Sequence, residues 1–149
     1  MRFEIVKNKY RKFPNEIIKL PERKTTYSAG YDFYSNETHK LKQNECYIFW
    51  TDVKIKLEWL TFLQISIRSS LGLKNLRLAN GIGIVDSDYY DNPNDDGNIG
   101  IALINESHTP YLIQKGDRIA QGIILPHLMI GAGYDKVRNK RKGGWGSTK

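Results

Sequence analysis

Alternation of apolar and polar side chains with a period of two dominates this chain. It is clearest where Val53, Ile55 and Leu57 alternate with lysines, and it recurs through residues 62–67. This period is typical of β-strands with one buried face. The same reasoning predicts further strands at Phe3–Ile5, Asp32–Ser35, Ile48–Trp50, Gly81–Val85, Ile99–Ile104 and Ile119–Leu128.

No long segment carries an apolar stripe with the 3.6-residue period of a helix. Only Ser70–Leu76 has the composition of a short helix. Turn-forming residues separate the predicted strands, most clearly over Asp91–Gly97. The chain therefore predicts an all-β domain, a barrel or a jelly roll, with one short helix.

Length and composition limit the number of domains and the cellular setting of this protein. A chain of 149 residues fits a single domain, and its one cysteine, Cys46, cannot form an internal disulfide. No apolar run approaches the roughly 18 residues of a membrane span. We expect a soluble cytoplasmic protein.

The formal charge of +7 is unevenly distributed. Residues 136–149 contain six Lys or Arg and no acid, whereas Asp86–Asp96 contains five aspartates in eleven residues. A basic tail attracts an anionic partner such as a nucleotide triphosphate or a nucleic-acid backbone, although a solvated disordered tail has the same composition.

Five short segments combine residues suited to phosphate and nucleoside chemistry. The segment at residues 68–74 begins with a cation, Arg68, and two hydroxyls, Ser69 and Ser70, at the predicted start of a helix. This combination suits phosphate oxygens, although such a string is also common on ordinary polar surfaces. The five segments are 29–35 (AGYDFYS), 68–74 (RSSLGLK), 83–89 (GIVDSDY), 116–121 (GDRIAQ) and 143–148 (GGWGST).

In order and spacing these segments resemble the five motifs of the trimeric dUTPase family, over residues 29–148. The resemblance implies a distorted jelly-roll of the β-clip type and hydrolysis of dUTP to dUMP and pyrophosphate, which lowers dUTP and supplies the precursor of dTMP. Ile67 and Ser70 depart from the proline and glycine that the family often has there. Neither change removes a hydrogen-bond donor.

The third segment carries the predicted catalytic group. The resemblance implies that Asp86 orients and deprotonates the water that attacks the α-phosphorus, and that Tyr89 packs against the deoxyribose and excludes a 2′-hydroxyl. A carboxylate is a sensible acceptor for that proton. The resemblance further implies that main-chain groups of the hairpin pair with the uracil edge, at Asn80, Gly83, Ile84, Val85 and Gly100.

The first and fourth segments are expected to complete the phosphate site. The resemblance implies that Arg68, Ser69 and Ser70 bind the triphosphate, that Gln121 positions phosphate or water, and that Asp32 holds Mg²⁺ through water. The metal would be bound chiefly by the three phosphates, since Mg²⁺ gives up its waters reluctantly. We expect Arg118 to be structural and to bind carboxylates.

The last segment predicts a flexible, glycine-rich, basic lid over residues 136–149, following a β domain over residues 1–135. The family usually has phenylalanine where this chain has Trp145, whose ring would stack on uracil. Either Lys140 or Arg141 would contact phosphate. Backbone amides and hydroxyls of Gly146, Ser147 and Thr148 would reach the γ-phosphate.

The stretch 90–96 is about six residues longer than the tight turn usual in the family. Asn92, Asn94 and Asp96 imitate half of a calcium-binding loop, but Leu103 occupies the position of the required Glu. We therefore expect a longer surface hairpin tip here.

The resemblance implies a homotrimer in which one chain gives the uracil hairpin, a second the phosphate grip and a third the tail. Two alternatives stay open from the sequence. One is a dCTP deaminase of the same superfamily. The other is a non-catalytic role in which the basic tail binds nucleic acid or the acidic hairpin binds a protein.

Overall fold

The computed structural model of the chain describes residues 1–131 and 143–144. Over this part it contains eleven strands and one short helix. The strands are β1 (Arg2–Ile5), β2 (Tyr31–Tyr34), β3 (His39–Leu41), β4 (Cys46–Trp50), β5 (Val53–Lys56), β6 (Thr61–Ser66), β7 (Leu76–Leu78), β8 (Gly83–Asp86), β9 (Gly100–Asn105), β10 (Tyr111–Ile113) and β11 (Arg118–Pro126). The helix, α1, spans Ser69–Gly72.

All strand pairs are antiparallel. A four-stranded sheet has the order β2-β11-β6-β8 and a three-stranded sheet the order β4-β9-β7, while β1 pairs with β5 and β3 with β10. The all-β class with one short helix is confirmed. In the described part of the chain no helix is long and apolar enough to cross a membrane.

The core joins the inner faces of the two larger sheets. Phe33 and Leu63 of the four-stranded sheet are fully buried in the same cluster as Phe49 and Leu103 of the three-stranded sheet. Packing is tight at Gly122 of β11, where an added Cβ would lie 2.8 Å from Cδ1 of Leu63 and 2.9 Å from Cε2 of Phe33.

Cross-strand pairing fixes which side chains share the outer face of the four-stranded sheet. Directly opposed residues point to the same face. Gln121 of β11 lies opposite both Asp32 of β2 and Ser66 of β6. Four residues before Ser66 on the same strand, Phe62 lies opposite Asp86 of β8. Asp32, Gln121 and Asp86 therefore share the face that is turned away from Leu63 and Phe33.

The stretch after β8 differs from the exposed hairpin tip that we expected. Residues 87–89 form a 3₁₀ turn, and Asn92, Asp96 and Asn98 are 4%, 1% and 1% exposed. Asp91, Pro93 and Asn94 are exposed as expected, but β8 and β9 pair in different sheets and do not form a hairpin. The other polar side chains are buried because they find partners on the body of the domain, which the sequence pattern of the loop alone does not show.

Candidate active site

A pocket of about 200 Å³ opens between β8 and β9. We call it the nucleoside pocket. Its walls include Ile65, Leu78 and Ile101 from the core, and all six hairpin residues expected to contact the nucleoside line it: Asn80, Gly83, Ile84, Val85, Tyr89 and Gly100. Pockets for drug-sized ligands commonly enclose about 300–1,000 Å³. This pocket therefore suits the base and part of the sugar, and not a whole nucleotide.

The backbone of β8 is available to a ligand along one edge. Among the described strands, β8 lies at the end of its sheet and pairs only with β6, with Gly83 opposite Ile65. Gly83, Ile84 and Val85 of this strand line the pocket. A rigid edge of this kind discriminates between bases, since a mismatched donor or acceptor would be buried without a partner.

Tyr89 closes one side of the nucleoside pocket. Tyr89 is 6% exposed, and its hydroxyl lies 2.7 Å from Oδ2 of Asp95 and 2.9 Å from the carbonyl oxygen of Asn98, two acceptors that share its one proton. Gly144 lies against the same ring, where an added Cβ would be 2.9 Å from Cε2 of Tyr89.

A second, basic pocket of about 310 Å³ surrounds Asp32. Both carboxylate oxygens of Asp32 bind arginine: Oδ1 pairs with Nη1 of Arg68, and Oδ2 accepts from Nη1 of Arg118 at 3.2 Å. Arg118 thus binds a carboxylate, as expected. Gln121 completes the wall, and Gly30 allows its close approach, since a Cβ there would be 3.0 Å from Oε1 of Gln121.

Lys24 adds a further cation to the basic pocket. It donates to Oε1 of Glu22 at 2.6 Å, and this contact raises the pKa of the Lys24 ammonium. The same hydrogen bond is the main cause that lowers the pKa of Glu22 to about 2. Three cations, Lys24, Arg68 and Arg118, therefore line this pocket together with Asp32, and such an excess of positive charge attracts an anionic ligand such as phosphate.

Other predicted site residues lie outside both pockets. Ser69 and Ser70 begin α1 beside Arg68 and are exposed, but they do not line the basic pocket. Asp86 ends β8, is exposed and lines neither pocket. The predicted tail residues Lys140, Arg141, Trp145, Gly146, Ser147 and Thr148 lie outside the described residues.

Asp86 is well separated from Asp32, the carboxylate of the basic pocket, within one chain. Asp32 and Asp86 are joined by three strand spacings across the sheet and by four residues along β6. With spacings of about 4.8 Å between strands and 3.3 Å per residue, this places the two residues roughly 20 Å apart. A single bound triphosphate is too short to contact both.

Sequence reasoning missed two features of these pockets. Lys24 lines the basic pocket but stands five residues before the first motif, in a stretch that reads as an ordinary charged surface. Asp95 contacts Tyr89 from within the longer turn, where its position gave no signal.

The chain is similar to known proteins of one family. The sequence matches the dUTPase family over residues 16–148. A deoxyuridine 5′-triphosphate nucleotidohydrolase from Lactococcus lactis is 34% identical over 147 residues, covering 98% of this chain and 95% of the relative. The crystal structure of dUTPase from Streptococcus mutans matches with a TM-score of 0.75 at 31% identity, over 87% of this chain and 98% of that one.

More distant structures share the fold. The dUTPase from phage phi11 of S. aureus, which has a species-specific insert, matches with a TM-score of 0.71 at 22% identity, over 93% of this chain and 96% of that one. A mutant of that phage enzyme coordinates a structural Mg(II) ion.

These relatives favour nucleotide hydrolysis over the dCTP deaminase alternative, because the similar proteins are named as nucleotidohydrolases. The match covers nearly the whole length of this chain and of its relatives. The chain belongs to the dUTPase family, and it is a dUTP diphosphatase that hydrolyses dUTP.

Proposed function

We propose that the chain hydrolyses dUTP to dUMP and pyrophosphate in an active site shared between the subunits of a homotrimer, with Asp86 activating the attacking water. The separation of roughly 20 Å between Asp32 and Asp86 carries this proposal. Both residues have to act on one triphosphate. Because a single chain holds them too far apart, each site needs Asp86 from one chain and the basic pocket of another.

The outer face of the four-stranded sheet suits such an assembly. Ile84 is 51% exposed there, and Phe62, Ile123 and Leu125 are partly exposed on the same face. Contiguous exposed apolar side chains mark protein contacts. Since Asp32 and Asp86 lie on this same face, packing chains against it would bring unlike parts of the site together.

The nucleoside pocket accounts for selectivity. Its size fits a pyrimidine base, and the free edge of β8 offers main-chain groups to the uracil edge. A methyl group in the place of the C5 hydrogen of uracil would be refused by shape. Tyr89 would pack against the deoxyribose and leave no room for a 2′-hydroxyl.

The basic pocket would hold the phosphates through Arg68 and Gln121, with Ser69 and Ser70 contributing from its rim. Among the described residues no group of three His, Cys, Asp or Glu side chains could hold a metal by itself. The carboxylate of Asp32 fits a Mg²⁺ ion that is bound mainly by phosphate oxygens and reached through water, because each of its oxygens has a second lone pair beside its arginine contact. When bound, the ion would neutralise charge on the phosphates.

The chemical step needs a proton acceptor beside the α-phosphorus. Asp86 would take a proton from water as the water oxygen attacks that phosphorus. The bond from phosphorus to the bridging oxygen breaks, and pyrophosphate leaves with the electron pair. Arg68 stabilises the charge on the phosphoryl oxygens, because a guanidinium donates two hydrogen bonds in a fixed geometry.

The C-terminal segment would act as a lid over residues 136–149, with Trp145 on the uracil ring and either Lys140 or Arg141 on phosphate. The contact between Gly144 and Tyr89 supports a lid that seats at the nucleoside pocket. In the trimer a third subunit would supply this tail, as the family resemblance implies. A cytoplasmic location is also proposed, and the single free cysteine supports it.

Mixed trimers test the shared site directly. Asp86→Asn and Arg68→Ala should each be inactive alone, because each damages every site. When the two variants are unfolded together and refolded in equal amounts, about one quarter of the sites should receive both intact residues and hydrolyse dUTP. No recovery of activity, with trimers present by light scattering, would overturn the shared site. A stable, active monomer would also overturn it.

Substrate and metal use are tested by pyrophosphate release from the four dNTPs, dUTP and UTP, with and without Mg²⁺. We expect release from dUTP alone, and only with the metal. Equal rates with dTTP or UTP would contradict the role given to the nucleoside pocket.

A further inference from the structure

The loop that follows Tyr89 is held rigidly against the body of the domain. We call residues 90–98 the 90–98 loop. Its Asp96 is 1% exposed, and Oδ2 of Asp96 accepts from the backbone nitrogen of Lys7 at 2.7 Å and from Nζ of Lys54 at 3.0 Å. Lys54 itself is 4% exposed. Buried charges paired in this way fix the position of the loop.

A second anchor fixes the far end of the same loop. Asn98 and Asp52 exchange two hydrogen bonds: Nδ2 of Asn98 donates to Oδ1 of Asp52 at 2.9 Å, and the backbone nitrogen of Asp52 donates to Oδ1 of Asn98 at 3.0 Å. Gly97, between the two anchors, has φ of +86°, and a Cβ there would lie 2.8 Å from the carbonyl oxygen of Tyr89. The backbone of the loop therefore stays close to Tyr89.

Asp95 directly precedes the first of these anchors and contacts Tyr89. Oδ2 of Asp95 accepts from the Tyr89 hydroxyl at 2.7 Å. Oδ1 accepts from Nδ2 of Asn92 at 2.5 Å and from the backbone nitrogen of Gly97 at 3.0 Å. Because both oxygens are engaged, the carboxylate presents a fixed acceptor to the hydroxyl, and hydrogen bonds to an ionised acceptor are about twice as strong as neutral ones.

Tyr89 can exclude a 2′-hydroxyl sterically only if its ring cannot move away from the sugar. A ring that is free to rotate about χ1 would yield to the extra oxygen atom at little cost. The Tyr89 ring is pinned at its hydroxyl end by Asp95 and by the carbonyl of Asn98.

We propose that Asp95 is a positioning residue that holds the Tyr89 ring against the sugar and thereby sets the discrimination between deoxyribonucleotides and ribonucleotides. The proposal rests on the role of Tyr89 given under the proposed function. Asp95 touches no substrate and acts only through the tyrosine. The 90–98 loop, longer than its family counterpart, thus contributes to specificity.

The test measures kcat/KM for dUTP and for UTP in three variants. Asp95→Ala removes the hydrogen-bond acceptor of the Tyr89 hydroxyl. It should raise the ratio of kcat/KM for UTP to kcat/KM for dUTP by about tenfold, mainly through a lower KM for UTP. Asp95→Asn should stay near the wild-type ratio, since its amide nitrogen donates to the Tyr89 oxygen while that hydroxyl donates to Asn98. Asp91→Asn removes the same charge from the same loop without touching Tyr89, and it should leave the ratio unchanged.

A double-mutant cycle separates positioning from general damage. Tyr89→Phe removes the hydroxyl and keeps the ring, so it should reproduce the shift of Asp95→Ala even if that variant folds poorly. In the Tyr89→Phe background, Asp95→Ala should change the ratio no further. An unchanged ratio in both Asp95→Ala and Tyr89→Phe, or fully additive shifts in the double variant, would overturn the proposal.

The variant Tyr89→Ala tests the role of Tyr89 separately from the role of Asp95. If Tyr89→Ala keeps the wild-type ratio, the ring does not exclude the ribose, and both proposals fall. If Tyr89→Ala raises the ratio while Tyr89→Phe and Asp95→Ala do not, only the positioning role of Asp95 is overturned.

Discussion

Replacing Lys54 with methionine tests whether buried charge holds the 90–98 loop in place. Methionine keeps most of the aliphatic stem and removes the ammonium. That group lies 2.5 Å from Oδ1 of Asp91, 3.0 Å from Oδ2 of Asp96 and 4.6 Å from the centre of the Tyr90 ring. Burial opposes its charge, but the hydrogen bonds from Lys54 to Asp91 and Asp96 outweigh burial, and the pKa of Lys54 is raised.

The loss of stability expected for Lys54→Met depends on the partners that Asp96 keeps in this variant. Removing one partner of a buried ion pair costs about 3–5 kcal/mol. Asp96 keeps the backbone nitrogen of Lys7 and, at 3.0 Å, the Lys7 ammonium, whose side chain is 58% exposed. We therefore expect Lys54→Met to lower the free energy of unfolding by about 2–4 kcal/mol. With a urea slope of about 2 kcal/mol per molar, the midpoint falls by about 1–2 M.

Urea unfolding at a fixed protomer concentration measures this change, because the stability of an oligomer depends on concentration. Lys56→Met is the matched control. It lies two residues along the same strand, is exposed, and should change stability by no more than about 0.5 kcal/mol. If Lys54→Met is as stable as Lys56→Met, the buried pair does not anchor the loop and the reasoning fails.

Four further outcomes are expected. Asp86→Asn should nearly abolish kcat while dUTP affinity stays within roughly tenfold in equilibrium binding, since the base acts on water, and a near-normal kcat would refute its assignment. A chain that ends at Lys142 should lose most activity but keep its circular dichroism spectrum and melting temperature, whereas an undiminished rate would exclude a lid. Gly122→Ala should cost about 1–3 kcal/mol in urea unfolding, because the added methyl meets two fully buried side chains, and a stability equal to wild type would show that the core adjusts freely. The pKa of Asp91 is lowered from its ordinary 3.8 to about 2, chiefly by its hydrogen bond with Lys54. The ionised carboxylate therefore stabilises the fold fully above pH 3.8, and this stabilisation is lost as the pH falls through about 2. The difference in unfolding free energy between wild type and Asp91→Asn should vanish over that interval, and a difference that persists below it would contradict the ion pair.

The strands that the sequence predicted well are those in which one face is buried. Alternation over residues 62–67 and from Val53 to Leu57 located β6 and β5 to within one or two residues. The three-residue strands β3, β7 and β10 were missed, because so few residues show no periodicity and their formation depends on the partner strand.

Lys54 shows where alternation gave the wrong burial. With Val53 and Ile55 turned to the core, the pattern places Lys54 on the solvent side of β5. It is 4% exposed because the 90–98 loop covers that side and brings Asp96 to the ammonium. Forty-two residues separate the two partners, so no local pattern could indicate the pair.

The candidate site divides in the same way. Its short motifs, their order and the family they indicate were determined by the sequence alone, since side-chain chemistry and main-chain turns are encoded locally. The tertiary structure alone decided that Asp95 binds Tyr89 and that Asp86 lies far from Asp32 on one face of a sheet. Both depend on strand pairing and loop packing between distant segments, and such contacts form only when the chain has folded around a common core.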